Sequence, residues 1–315
     1  MESGHHLDVP IVKEENICLP LVISAVAKYW GVDLPMAEAA EIARKYPGVK
    51  GSILVEGVEL AERHGLAVTI SNLSMKKLKN LIESGIPVIV ILPGIRDVVQ
   101  HASLIIGYDE AEKAVFHYIP EPDRIGAIPE SAFERQWEED DRLGILVMPP
   151  DIMSEAKISQ DARTKSNRMC FEAEKLRLQG RQAEAAELLR RAVEHDGANS
   201  TASCLYAGLL NDMNRPEAVQ YYKKSADANP RCYLAYRGLG NYFLKARDWE
   251  GAEKYYSMAI SINPSRFVPI YKNRGIARME LGNKKGARED LEKYLEGMPD
   301  AQDRQAISQA ITELD

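Results

Sequence analysis

A cysteine and a histidine are the residues of this sequence that first suggest chemistry. Cys18 stands at the start of an apolar segment that ends at Tyr29-Trp30-Gly31, which predicts the first turn of a helix. The unpaired backbone N–H groups and the positive end of the helix dipole at such a turn favour a thiolate. His101 begins the alternating run His101–Tyr108, which predicts a strand. An imidazole beside that thiolate would give the nucleophile and base of an acyl transfer.

The elements that must position this pair mix helix and strand in the first half of the chain. Helices are followed by strands that pair as hairpins, with 109–113 as a turn, and this order predicts an α+β domain. The predicted helices are 18–30, 36–45, 52–64, 74–84 and 129–140, and the predicted strands are 66–70, 88–92, 101–108, 114–119 and 144–148.

Length and composition bound the class of protein. A chain of 315 residues predicts two domains, and 45% hydrophobic with 28% charged residues is typical of a globular protein. The net charge of −7 argues against nucleic acid as a partner. No apolar run is long enough for a membrane span, and no secretory leader is recognisable, so we expect a cytoplasmic location. The four cysteines show no CxxC spacing, so we expect neither a disulfide framework nor a metal site.

The second half of the chain repeats itself with a helical period. Alanines recur at 185, 218, 252 and 287, with separations of 33, 34 and 35 residues, and prolines follow at 230, 264 and 299. Over about residues 166–299 this part resembles the tetratricopeptide family in four repeats, with Ala301–Leu314 as a terminal capping helix. The predicted domains are therefore 1–152, a linker or capping helix at 153–166, and an all-α solenoid at 167–315.

Several stretches of the first half match one family in register. Residues 8–150 resemble the bacteriocin-processing, double-glycine type of cysteine peptidase domain, which has a papain-like fold. The resemblance implies that Cys18 is the nucleophile, that His101 is the base and that the substrate is a peptide. The matching stretches are Glu14–Cys18, Tyr29–Gly31, Gly51-Ser52, His64–Leu66, Gly85–Val90, His101 through Gly107–Asp109, and Phe133 with Trp137.

This sequence departs from that family pattern where residues usually assist the pair. Leu19 follows the cysteine where the family usually has glycine, and Lys13 stands where a glutamine usually donates to the oxyanion. Lys13 would supply a positive donor on a flexible stem. Ile119 occupies the usual place of the acidic residue that orients histidine. If the hairpin pairs around 110–112, Glu121 lies opposite His101 and can take over that role.

Two functions follow from this pattern, and they stay open at this point. The first is a papain-like cysteine peptidase, a hydrolase that cleaves a peptide through a thioester on Cys18, with the repeats recruiting the substrate. The second is a catalytically impaired adaptor that holds a peptide without cutting it. Another acyl transfer on the same pair, such as amide formation, is a third possibility. Against all three, Cys18 can be a small buried hydrophobe and His101 an ordinary hydrogen-bonded strand residue.

The repeats offer a separate candidate surface for a protein partner. Arg237, Asn241, Lys245 and Lys272 fall at positions of the first helix of a repeat that face the concave side. Their charges and amide can clamp a carboxylate or an acidic tail, and the alternative is that they are ordinary solvated residues. His117, in the second strand of the hairpin, is predicted to be structural. We expect no cofactor.

Overall fold

The computed structural model describes residues 4–7, 18–35, 38, 54–94, 99–119, 124–156, 158 and 160–314, and for 18–21, 54–56, 119 and 124 it describes the backbone alone. Contacts divide the chain into two compact units. Unit 1 comprises Met1–Leu92 and His101–Ala202, and unit 2 comprises Pro93–Gln100 and Ser203–Asp315.

Unit 1 is built on a seven-stranded sheet in the order β2-β7-β3-β4-β5-β6, with the short β1 paired to β4. The printed pairings of β2 with β7, β3 with β7, β4 with β5, β5 with β6 and β1 with β4 are antiparallel. The strands are β1 (Gly4–His6), β2 (Ala67–Asn72), β3 (Val88–Pro93), β4 (Gln100–Asp109), β5 (Ala114–Ile119), β6 (Arg124–Pro129) and β7 (Leu143–Met148), and the first helices are α1 (Cys18–Tyr29), α2 (Leu54–Arg63), α3 (Met75–Glu83), α4 (Glu130–Glu138) and α5 (Pro150–Glu155).

Helix α1 is fixed to the sheet at its C-terminal end. The Trp30 indole N–H donates to the Val147 carbonyl at 2.9 Å, and the Tyr29 hydroxyl donates to the Gly85 carbonyl at 2.9 Å. Gly31 ends the helix with φ of +75°, a conformation that glycine adopts without strain. Val22–Ala27 of α1 are buried, so packing on all sides holds this part of the helix in place.

Two more helices, α6 (Ala162–Leu178) and α7 (Gln182–His195), belong to unit 1; α6 packs against the edge strand β2, and α7 packs against α6. The Asn167 amide donates to the Ile70 carbonyl at 3.3 Å and to the Asn72 side chain at 2.8 Å. Asn199 donates in turn to the Asn167 oxygen at 2.8 Å. Phe171 joins the core that α1 shares with the sheet. These contacts occupy polar groups at a strand edge that would otherwise be open.

Unit 2 is a series of helices in which successive helices contact each other, and Val99 and Gln100 belong to the same unit. Arg266 is fully buried there, and its Nε donates to the Val99 carbonyl at 3.1 Å. A Cβ placed at Gly240 would come within 2.5 Å of the Tyr256 ring, so the close approach of α10 and α11 requires glycine. The helices are α8 (Ser200–Asp212), which unit 1 shares through its first residues, α9 (Ala218–Ala228), α10 (Tyr233–Lys245), α11 (Trp249–Ile262), α12 (Pro269–Glu280), α13 (Lys284–Gly297) and α14 (Arg304–Glu313).

The α+β class of the first domain and the helical class of the second are confirmed. The sequence did not predict strands β1 and β6, while the predicted helix 36–45 lies almost wholly outside the described residues. The predicted linker 153–166 and the first predicted repeat fall within compact unit 1. The boundaries at 152 and 167 stay predictions, because spatial compactness and sequence repetition are different criteria for a domain.

Candidate functional site

Cys18 is the first residue of helix α1, as the sequence predicts. No acidic residue lies in the first turn, so no carboxylate there opposes the effect of the helix dipole on a thiolate. The backbone of Cys18 is described and its side chain is not, so the distance from its sulfur to His101 stays outside the described geometry.

His101 is the second residue of strand β4 and is half-buried. The next residues of the strand tie it to helix α1, because Ala102, Leu104 and Ile106 pack in the same hydrophobic core as Val22–Ala27. The two candidate residues therefore belong to elements that share one core. Since side chains alternate along a strand, His101 itself lies on the face opposite Ala102, together with Ser103.

A second histidine, His117, lies on that same face in the neighbouring strand β5. Its Nδ1 is 2.8 Å from the Ser103 hydroxyl, and that hydroxyl also contacts the Tyr118 carbonyl at 3.2 Å. Burial is the main cause that lowers the pKa of His117 to about 4, and the positive charge of His101 lowers it further. His117 is therefore a neutral imidazole at ordinary pH, and it lies close enough to His101 to interact with it electrostatically.

Two other predicted catalytic residues, Lys13 and Glu121, lie outside the described residues. The described part of the β4–β5 ladder pairs Leu104 with Tyr118 and Ile105 with His117. The roles of Lys13 as oxyanion donor and Glu121 as orienter of His101 remain predictions.

Three of the four predicted partner-binding residues have their polar atoms engaged inside unit 2. The Asn241 oxygen accepts from the Tyr256 hydroxyl at 2.8 Å, and Lys272 pairs with Asp303 at 2.7 Å. The exposed Lys245 contacts the Asn214 side chain and the Asn211 carbonyl. Their part in partner binding stays a prediction, and a ligand would have to compete with these contacts.

Arg237 differs from the other three. Its guanidinium stacks over the Phe267 ring at 4.3 Å from the centroid and makes no hydrogen bond or salt bridge to the described part of the chain. Burial lowers the pKa of Arg237, and the charge of Arg266 contributes to the same effect. A positive group with this environment is suited to accept an anionic partner.

His117 was predicted to be structural, and no role was predicted for Ser103. A signal for Ser103 was present in the sequence: His101 and Ser103 are polar residues at alternate positions of a predicted strand. Polar side chains on one face of a buried strand need hydrogen-bond partners. Arg266 carried no comparable signal, because its burial depends on the fold of unit 2.

The described side chains bear on two classes of site, a metal site and a membrane span. Among the described residues, no group of histidine, cysteine and carboxylate side chains is arranged to hold a metal ion. Within the same ranges, none of the helices combines the length and apolar character needed to cross a bilayer.

Comparison with family models identifies both halves of the chain. Residues 6–145 match the Peptidase_C39 like family. Residues 208–266 and 239–312 match two models of the tetratricopeptide repeat. The chain thus contains a Peptidase_C39-like domain followed by tetratricopeptide repeats, which makes it a peptidase-like protein with repeats of the kind that mediate protein–protein interaction.

Individual relatives match only part of the chain. RNA polymerase II-associated protein 3 of Xenopus laevis is 34% identical over 80 residues, which is 25% of this chain and 12% of that protein. Protein FlbA of Caulobacter vibrioides is 30% identical over 105 residues, 33% of this chain and 17% of that protein. The chain thus spans less than a fifth of the length of these curated relatives.

Solved structures with helical similarity are more distant in sequence. A crystal structure of MamA protein is 19% identical, with a TM-score of 0.43 over 47% of this chain and 80% of that chain. A structure of pilF from Pseudomonas aeruginosa is 18% identical, with a TM-score of 0.41 over 47% of this chain and 67% of that chain.

Proposed function

We propose that the protein is a papain-like cysteine peptidase whose repeats recruit the peptide or protein that unit 1 cleaves. Cys18 is the nucleophile and His101 the base. The observation that carries this proposal is the position of Cys18 at the N-terminus of α1, a helix that shares its core with the strand bearing His101. A helix N-terminus stabilises a thiolate, and a nearby imidazole completes the pair.

The reaction proceeds in two steps on these residues. The Cys18 thiolate attacks the scissile carbonyl, the C–S bond forms, and the C–N bond breaks as the His101 imidazolium gives its proton to the leaving amine. Water then hydrolyses the thioester, with His101 accepting a proton from the water. Lys13 donates to the oxyanion, and Glu121 holds the imidazole in orientation.

The proposal makes a geometric demand that can be tested. Alternation places His101 on the face of β4 opposite the residues that pack with α1. The proposal therefore requires the side chains of Cys18 and His101 to come into contact at the first residues of β4. The orienting role of Glu121 rests on the sequence alone, because Glu121 lies outside the described residues.

An electrophilic peptide probe tests the nucleophile directly. We expect covalent labelling of the parent and at least a hundredfold slower labelling of Cys18→Ala. Cys204→Ser is the matched control, because Cys204 is the half-buried cysteine of the repeats and its loss should not change labelling. Burial raises the pKa of the Cys170 thiol to about 12, so it should contribute no background. Equal labelling of parent and Cys18→Ala would contradict the proposal.

The second candidate, a peptide-binding adaptor without turnover, has one specific observation in its favour. Leu19, Lys13 and Ile119 stand where the resembling family has residues that assist catalysis. Hydrolysis of a peptide library distinguishes the two: turnover that disappears in His101→Ala supports the peptidase, whereas binding that persists without turnover supports the adaptor.

For the repeats we propose an acidic segment of the substrate or partner as the ligand of the concave face. Arg237 is the residue that supports this proposal, because its charge is not neutralised by an ion pair in the described chain. Arg237→Ala should weaken capture of the partner, while Lys272→Ala should have a smaller effect, since Lys272 already pairs with Asp303 at 2.7 Å.

A further inference from the structure

A buried arginine of unit 2 is bonded to the chain two residues ahead of His101. Arg266 is fully buried, and its Nε donates to the Val99 carbonyl at 3.1 Å. Burying a guanidinium costs free energy unless its charge and its N–H groups find partners. The position of Arg266 therefore calls for an explanation.

The bonded carbonyl belongs to the connection between strands β3 and β4. The same Val99 oxygen accepts from the Gly94 N–H at 3.1 Å, which closes this connection at its base. The segment Pro93–Gln100 belongs to unit 2, and unit 1 resumes at His101. Because β4 begins at Gln100, its first residue follows directly on a carbonyl that unit 2 holds.

Aromatic packing fixes the Arg266 side chain that makes this bond. Its guanidinium lies 4.9 Å from the centroid of the Tyr233 ring, and Tyr233 is fully buried at the start of α10. An arginine side chain has many rotamers in water, and burial against a ring leaves few of them. Arg266 therefore presents its Nε–H to Val99 from a packed position.

We propose that Arg266 is a positioning residue for His101: its bond to Val99 holds the first residues of β4 and so determines where the imidazole stands. This inference rests on the proposed function, in which His101 is the catalytic base. Two residues of extended chain span about 7 Å, so a displacement of Val99 is passed on to His101. A misplacement of about 1 Å at a catalytic group can lower a rate about 100-fold.

Two uncharged substitutions of similar size isolate the bond. In Arg266→Gln the amide nitrogen stands at the place of Nε, directly after Cδ, and can still donate to Val99. In Arg266→Met a methyl group stands at that place and no donor remains. Both variants lose the charge and the outer nitrogens of the guanidinium, so the difference between them reports the bond to Val99.

Hydrogen exchange of the full chain, followed by mass spectrometry, measures the hold on the strand without any substrate. In Arg266→Met we expect the backbone amides of residues 100–104 to exchange about tenfold faster than in the parent. In Arg266→Gln they should exchange at the parent rate. The amides of α2 are the control and should exchange alike in all three proteins. Thermal melting verifies that each variant is folded.

Labelling of Cys18 by the electrophilic peptide probe measures the effect on the chemistry. Loss of a positioning residue lowers the limiting rate of labelling and leaves the half-saturating probe concentration unchanged. We expect Arg266→Met to lower that limiting rate about tenfold or more, and Arg266→Gln to keep the parent rate. If neither variant folds, Arg266→Lys is compared with the parent. It keeps the charge but places a methylene where Nε stood, so both effects should have the same direction as in Arg266→Met.

The outcomes separate the two proposals. Faster exchange at 100–104 with slower labelling, in Arg266→Met and not in Arg266→Gln, supports the positioning role. Parent-like exchange in Arg266→Met, or faster exchange with parent-like labelling, overturns it. Equal losses in both variants also overturn it, because the bond to Val99 would then not be their cause. Faster exchange in Arg266→Met, in a protein whose parent form is never labelled at Cys18, supports the hold on β4 and overturns the peptidase proposal.

Discussion

The two units treat buried polar groups in opposite ways. In unit 2 the buried Asp290 forms ion pairs with Arg274, at 2.7 and 2.8 Å, and with Arg278 at 3.0 Å. In unit 1 burial, and after it the positive charge of His101, lowers the pKa of His117 to about 4, so this side chain is neutral; its Nδ1 lies 2.8 Å from the Ser103 hydroxyl. Unit 2 therefore uses internal ion pairs to join helices, whereas unit 1 buries an uncharged polar group in its sheet.

This difference between the units indicates which side chains are available for chemistry. Charges that are paired inside a scaffold are less available for chemistry, and of the four predicted partner-binding residues Lys272 is paired in this way with Asp303. Cys18 is instead the first residue of a helix, and His101 is the second residue of a strand. The dipole at a helix N-terminus favours the thiolate form of a cysteine.

The largest expected loss of stability comes from breaking the ion pairs of unit 2. Asp290→Asn leaves Arg274 and Arg278 without their buried carboxylate, and removing one partner of a buried ion network costs about 3–5 kcal/mol. Thermal melting followed by circular dichroism at 222 nm should show a markedly lower Tm. Glu187→Gln is the matched control, because its pair with Arg190 is exposed and its loss should leave the Tm unchanged. Equal effects of the two variants would contradict the contrast.

The second expected effect is a loss of stability of unit 1 as the pH falls. The folded pKa of His117 is about 4 against 6.5 for an ordinary histidine, so the unfolded chain binds the proton more readily. The contribution of His117 to stability is complete above pH 6.5 and is lost as the pH falls towards 4, by roughly 3 kcal/mol in total.

Urea denaturation between pH 7 and pH 4 measures this loss. Trp30 and Trp137 lie in unit 1 and Trp249 lies in unit 2, so fluorescence in a Trp249→Phe background reports on unit 1 alone. His117→Asn should remove most of the pH dependence over this range. If the free energy of unfolding depends on pH equally in the parent and in His117→Asn, other titratable groups cause that dependence.

A smaller effect tests the packing of the repeats. A Cβ at Gly240 would lie 2.5 Å from the Tyr256 ring, so Gly240→Ala should destabilise unit 2 by about 1–3 kcal/mol. At Gly208 the nearest atom, the Tyr222 hydroxyl, is 3.7 Å away, so alanine fits. There the better helix propensity of alanine should add up to about 1 kcal/mol of stability. Opposite signs in paired urea titrations are the expected result, and a common sign would contradict it.

The same contrast explains what the sequence could predict. Contacts in the repeats are local, because each helix contacts its neighbour in the chain. The spacing of small residues such as Ala218 and Ala252 along the sequence therefore predicts how the helices pack. Helix α1 was predictable for a similar reason, from its apolar face and Gly31.

The environment of His101 depends on contacts that spacing alone does not show. Its neighbours His117 and Ser103 are set by the register of β4 with β5, and the fit of His117 also requires β6, which the sequence did not predict as a strand. The inclusion of α6 and α7 in unit 1 rests on Asn167 and Phe171, which occupy positions that a repeat pattern reads as ordinary helix surface and core.

The pH dependence of Cys18 alkylation tests the central claim most directly. Iodoacetamide reacts with the thiolate, so its rate against pH gives the midpoint of thiol ionisation in the parent and in His101→Gln. If the two residues form an ion pair, the parent reacts at pH 6 and the variant shifts towards the ordinary thiol midpoint near pH 8.5. Identical profiles in the two proteins would show that His101 does not act on Cys18.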